Sequence, residues 1–202
     1  MSELESKTNK VRKGMVINMS NMSFDECVRG RRSVRKYKGD SVPEEVVREV
    51  VTIASFAQSW KNTQTTRYIV IENKELKDEL AQTCMMDFQL NRDNVSSAPM
   101  LIVVTTVTGR SGYERDGSFT TSLGAHWESF DAGIATQTLC MAAYAQGLGT
   151  VVLGIFDADK VAKAVKVPQG QKVSALVAVG YPSEKPGMPK RKDVEELLDY
   201  RR

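Results

Sequence analysis

The residues Arg29 to Lys38, "RGRRSVRKYK", hold six cationic side chains in ten positions. Like charges at this density repel unless water or an anion screens them. Three anions are candidates: a nucleic acid, a membrane surface, and the phosphate of a small cofactor. Guanidinium forks pair bidentately with phosphate oxygens. In an extended segment Arg31, Ser33 and Arg35 point to one side, and two guanidiniums with a hydroxyl suit a phosphomonoester. The competing reading is a solvated basic loop. A second stretch, "AQSWKNTQTTRY" from Ala57 to Tyr68, carries Gln58, Ser59, Asn62 and Gln64 without an acidic residue. Amides both donate and accept, so they suit the edge of a ring that alternates C=O and N–H, with Trp60 covering an apolar face. An ordinary solvated loop anchored by Trp60 would carry the same residues.

Other chemistry is thinly provided. The sole histidine is His126, in "GAHWESF", and any Ser-His-Asp triad or Cys-His pair would have to use it. No GxSxG elbow supports one, and a partly exposed histidine at a helix start is the simpler reading. Cys27, Cys84 and Cys140 lie far apart and form no CxxC, so no Cys/His zinc set is expected. Buried free thiols in a reducing compartment are expected instead. Neither GxGxxG nor GxxxxGK[ST] occurs. The paired carboxylates are expected on solvated helix faces. In an enzyme so short of acid–base groups, a bound cofactor must perform the difficult step.

The positive excess is local: 28 Lys and Arg stand against 25 Asp and Glu, a net charge of +3 over 202 residues. That is mild for a dedicated nucleic-acid binder. No stretch approaches the roughly 20 apolar residues of a membrane helix, and "MSELESKTNKVRKG" lacks a signal peptide's apolar segment. The expectation is a cytoplasmic protein with no membrane partner. Residues 1–22 are polar without a sustained period and read as a mobile leader; residues 23–202 read as one domain.

The positioning elements follow from local signals. Ser23 with Glu26 forms a capping box, and Ser41 with Glu44 reads as a second one. Val46, Val47, Val50, Val51 and Ile53 form one apolar helix face behind it. "RYIVIEN", "APMLIVVTTVT", "TVVLGIF" and "KVSALVAVGYP" read as strands. "NKELKDELAQTCMMDF" and "DADKVAKAVKV", capped by Asp157, read as helices, and "VEELLDYRR" as a short last one. "GRSGYERDGS" is a loop long enough to be functional. "SFDAGIATQTLCMAAYAQGLG" has no charge after Asp131, so it reads as a helix buried all round, inside the domain or a dimer, ended by Gly147 or Gly149. Strands and helices mingle without strict alternation, which fits an α+β fold, a sheet covered by helices.

Four stretches together resemble the FMN-dependent nitroreductase family. "RRSVRKYKGDSVPEEVVREVVTIAS" is similar to the family's opening arginine motif and helix, and "SWKNTQTTRYIVI" to its Ser/Asn/Gln loop and strand. "FDAGIATQTLCMAAYAQGLGTVVLGIFD" resembles its central helix and strand, and "ALVAVGYPSEKPGMPKRKDVEELL" its closing strand and tail. They run from about Ser23 to the end in the family's order. The resemblance implies a mixed, mainly antiparallel sheet and an intertwined homodimer with two FMN sites at its interface. It implies that Arg31, Arg32, Ser33 and Arg35 hold the FMN phosphate and nearby flavin edge, with Arg191 and Lys190 reaching the same phosphate. Ser59, Asn62 and Gln64 would line the pyrimidine side beside Trp60, and Leu153 and Gly154 would offer backbone to the ring. The implied activity is hydride transfer from NADH or NADPH to the flavin, then to a nitroaromatic, quinone or similar acceptor, by a ping-pong mechanism with no catalytic protein base. Two departures stand out: Gln58 replaces the family's proline before the loop serine, and "QTT", Gln64 to Thr66, replaces "QPW". They open space near the flavin and admit an alternative reaction of the same fold: dehydrogenation, dehalogenation or flavin breakdown. A non-enzymatic nucleic-acid binder is the remote alternative.

Overall fold

Strand β2 (Met100–Val107) is apolar on both faces because both are covered. Met100, Ile102 and Val104 face one helical layer, and Leu101 and Val103 face the other. The computed structural model describes residues 22–202; the stretch read as a leader lies, but for Met22, outside the described residues. With β1 (Thr66–Ile71), β3 (Gly149–Leu153) and β4 (Gln171–Gly180), β2 forms an antiparallel sheet of order β1-β2-β4-β3. The fold is α+β, as expected.

On one face lie α2 (Glu44–Ala54) and α5 (His126–Ala145), which bury Val50, Ala54, Leu139, Cys140, Ala142 and Ala143 against the sheet. On the other lie α3 (Lys74–Thr83), α4 (Gln89–Ser97) and α6 (Ala158–Ala164), through Leu80, Ala81, Val95 and Val161. The short α1 (Phe24–Gly30) opens with the Ser23/Glu26 capping box in place, and Asp157 accepts from Lys160 N at the start of α6. All three cysteines are buried and free.

Four local readings change. Ser41 does not cap α2: Pro43 is its N-cap residue and no side chain accepts there, because the fixed backbone of proline already sets the entry. Helix α4 has only Leu90 and Val95 as apolar residues, so no stripe announced it. It is held by polar contacts that only the fold supplies. Asn91 Nδ2 donates to Ile155 O at 3.0 Å, and the Lys77 ammonium donates to Ala98 O and Pro99 O just past its end. The expected last helix is a single 3-10 turn, Val194–Glu196. Finally, of the two readings of α5, burial at the centre of the domain does not hold: among the described residues Phe130, Gly133 and Gln137 lie on a stripe exposed in the single chain.

Two glycines set the geometry that matters next. Gly147, at φ 77°, ends α5, with its N–H donating to Tyr144 O and Leu148 N–H to Ala143 O. At Gly149 a Cβ would lie 2.6 Å from Val34, so only glycine lets the arginine segment close on β3.

Candidate functional site

The arginine segment is an extended strip docked on the sheet edge. Ser33 bridges Thr150 of β3 in parallel, Val34 N–H donates to Thr150 O at 2.9 Å, and the Val34 side chain is buried. Further on, Lys38 N–H donates to Tyr181 O and Ser183 N–H to Lys36 O. The Tyr37 hydroxyl lies 2.6 Å from Val34 O and 3.1 Å from Ala178 O, tying the strip to β4. Burial of Val34 turns its neighbours Ser33 and Arg35 away from the core.

Charge pairing within the strip is selective. Arg29 pairs with Asp25 and Lys36 with Glu184. Among the described residues Arg31, Arg35, Lys190 and Arg191 have no carboxylate partner, whereas Lys192, next along the tail, pairs with Glu196. Arg32 is different again: its Nη1 donates to Arg29 O and Arg31 O, which serves the carbonyl end of α1 and leaves Nε and Nη2 for a ligand. At the end of β3, Leu153 is buried, while Gly154 is exposed with open space where a Cβ would stand. That leaves its backbone accessible to a flat ring.

The amide loop holds three of the positive-φ side-chain residues among the described ones, beside Met86, Asp87 and Lys166 elsewhere. Lys61, Asn62 and Gln64 have φ of 45°, 55° and 47°, the left-handed region that side chains disfavour. The turn survives because it is tied twice. Ser59 Oγ accepts from Gln64 N–H at 2.9 Å, and Asp131 Oδ2 accepts from Trp60 N–H at 2.9 Å and from the Ser111 hydroxyl at 2.5 Å. The Trp60 ring packs on Trp127, centroids 4.6 Å apart, which anchors the loop. Asn62 and Gln64 remain exposed. A cavity of about 350 Å³ opens beside the turn, with Gln58, Ser59, Gln64, Tyr68 and Asp131 among its lining.

Glu128 and Asp131 correct the expectation that the carboxylates are solvated: both are 2% exposed. Glu128 accepts from Gly109 N–H at 2.7 Å and from Lys172 Nζ at 2.5 Å. Spaced three apart on α5, the two carboxylates fasten the loop after β2 and the amide loop to one helix. The signal in the sequence was their isolation at the head of an otherwise uncharged helix. His126, the first residue of α5, is exposed and has no role in this network.

Strand order decides what one chain brings together. The arginine strip and the Leu153–Gly154 corner belong to the β3 edge; the amide loop runs into β1, the opposite edge. Three strand spacings, roughly 14 Å, separate the two groups. Burial pushes the phenols of Tyr37, above all, and of Tyr68, to about 12, upward. Folding therefore favours their neutral form: the stability is present below the ordinary phenol value of about 10 and is lost as pH rises above it. The urea midpoint should fall between pH 10 and 12, with the tyrosinate absorbance of these two appearing together with unfolding. Full titration of every tyrosine near pH 10 in folded protein would contradict this burial.

Comparison with known proteins agrees with this architecture. The family model described as the Nitroreductase family matches residues 28–93 and 87–181. An NADH dehydrogenase/NAD(P)H nitroreductase of Methanothermobacter thermautotrophicus is 27% identical over 84% of this chain and 82% of its own. An iodotyrosine deiodinase of Nematostella vectensis is 25% identical, over 87% and 74%. A nitroreductase of Exiguobacterium sibiricum solved in complex with FMN superposes with a TM-score of 0.75 at 23% identity, covering 89% and 98%. No helix among the described residues is long and apolar enough to cross a membrane. The sheet order, the arginine strip against β3 and the family match together show that the chain belongs to the nitroreductase family, whose members are flavin-binding oxidoreductases.

Proposed function

We propose that residues 23–202 form an FMN-dependent oxidoreductase that works as a homodimer, each flavin site being shared between two copies. The observation that carries this is the selective pairing of the basic segment: Arg31 and Arg35 are held on a docked strip without carboxylate partners while Arg29 and Lys36 are neutralised. Uncompensated guanidiniums on a fixed backbone fit a phosphate. The accessible backbone at Gly154 fits a ring laid close against it. The three strand spacings between the sheet edges, roughly 14 Å, support sharing, since Asn62 and Gln64 of one chain then complete the site of the other. The exposed stripe of α5 and the exposed Leu197, Leu198 and Tyr200 of the tail supply apolar surface for the contact.

Arg31 and Arg35 would hold the phosphate, with Arg32 through its remaining donors and Arg191 and Lys190 from the tail. Ser33 would stand at the nearby edge of the ring, Asn62 and Gln64 would read its pyrimidine side, and Leu153 and Gly154 would present backbone. Ser59 and Trp60 act within the loop, by holding its turn and anchoring it. Bound there, FMN would supply a hydride acceptor for NADH or NADPH and a donor for a nitroaromatic, quinone or similar small molecule, in two half-reactions that give ping-pong kinetics. No side chain here is placed as a proton donor; the chain's task is binding, orientation and donors near developing negative charge.

Dehalogenation is the second reading, favoured by the similarity to the deiodinase and by the missing proline and tryptophan of the loop. A product panel of nitro, quinone and halogenated phenol acceptors separates the two. The test of the main reading is one visible spectrum: the purified protein should be yellow, contain FMN, bleach with NADH or NADPH, and sediment as a dimer. A colourless protein unable to take up added FMN would overturn it.

A further inference from the structure

The flavin reading leaves unused a cavity of about 540 Å³ between the Trp60–Thr63 turn and the loop from Gly109 to Arg115. That volume is typical of a small-molecule site. Its lining holds three cations, Lys61, Arg110 and Arg115, against one carboxylate, Glu114. Glu114 is already engaged by Lys61 at 3.1 Å, whose ammonium also lies over the Trp60 ring. Arg110 and Arg115 have no carboxylate partner among the described residues. Two aromatic rings stand in the wall: Trp60, and Tyr113, which Phe119 supports at 4.9 Å. Two lining side chains carry buried polar atoms without a hydrogen-bond partner, Trp60 Nε1 and Thr63 Oγ1. An indole N–H can only donate, and a buried donor left unpaired costs about 1–3 kcal/mol. The wall therefore offers flat apolar surface and surplus positive charge in one place.

We propose that this cavity binds an aromatic molecule that carries an anionic group, the ring against Trp60 and Tyr113 and the anion between Arg110 and Arg115. Two sources share that chemistry: an aromatic carboxylate serving as electron acceptor, and the phosphates of a reduced nicotinamide nucleotide. Trp60 belongs to the same strained turn as Asn62 and Gln64, so a ligand held here lies against the loop assigned to the flavin. The site thus sets a preference for anionic over neutral substrates. Its link to turnover rests on the flavin reading; binding itself does not.

The test uses the full chain as purified and an Arg110→Gln/Arg115→Gln variant. Both arginines are exposed and unpaired, so the variant keeps its fold. Benzoate, which cannot be reduced, should quench the emission of the two tryptophans, Trp60 and Trp127, in a titration weakened about tenfold or more by the double change and by raised salt. In turnover, the KM for 4-nitrobenzoate relative to 4-nitrobenzamide should rise about tenfold in the variant. A rise in the KM for NADPH instead identifies the nucleotide phosphate as the occupant and also supports the site. Equal benzoate binding by both proteins together with KM ratios that do not move would overturn it. Benzoate binding lost in the variant of a protein that never takes up FMN would support the cavity while sinking the flavin reading.

Discussion

The Arg31→Ala/Arg35→Ala protein is expected to bind FMN about 100-fold or more weakly, while its affinity for riboflavin, which lacks the phosphate, stays close to that of the parent. Each guanidinium bonded to a phosphate contributes about 1.5–3 kcal/mol, and each 1.4 kcal/mol is about tenfold in affinity. The comparison isolates the phosphate from the ring. Neither side chain has a carboxylate partner among the described residues, and Arg35 makes only a long bond to Ser33 O, so stability should change little. Quenching of flavin fluorescence measures both affinities. Parallel loss of riboflavin binding would mean a disturbed fold. An unmoved FMN affinity with lost affinity for single-stranded DNA would return the basic strip to the nucleic-acid reading, whose mark is steep salt dependence.

The second large effect is placed at Asp131. Asp131→Ala removes one buried acceptor from two donors, Trp60 N–H and the Ser111 hydroxyl, and each orphaned donor costs about 1–3 kcal/mol. A loss of about 3 kcal/mol in urea unfolding is expected. The same change releases the turn in which Lys61, Asn62 and Gln64 sit at positive φ. Strain of that kind persists only while its surroundings enforce it. Tryptophan emission should therefore shift as Trp60 loosens from Trp127, and FMN affinity should fall with it. Asp131→Asn, which keeps one acceptor oxygen, should recover part of both. A stability loss below about 1 kcal/mol with unaltered emission would show that the turn holds itself.

The two carboxylates at the head of α5 mark the limit of local reading. An isolated acidic residue in a sequence is expected in water, since burying its charge is costly. Glu128 and Asp131 are buried because Gly109, Lys172, Trp60 and Ser111, between 19 and 71 positions away, bring their donors. Helix α4 escaped notice for a related reason. Its nine residues have no apolar stripe; Asn91 fastens it to Ile155 O, and Lys77 of α3 holds the carbonyls of Ala98 and Pro99 at its end.

What the sequence alone determined is what short-range chemistry controls. Apolar runs became the four strands, Ser23 and Asp157 cap their helices, Gly147 stops α5, and the order of motifs identified the family. Those signals act within a few residues, through hydrogen bonds and side-chain period. Only the tertiary structure decided that the arginine strip docks on β3, that its free and neutralised cations differ, and that the amide loop stands at the opposite edge of the sheet. Strand order and ion pairing are choices among partners distant along the chain. They are settled by which faces bury together, so the site's division between two edges could emerge only once the sheet was assembled.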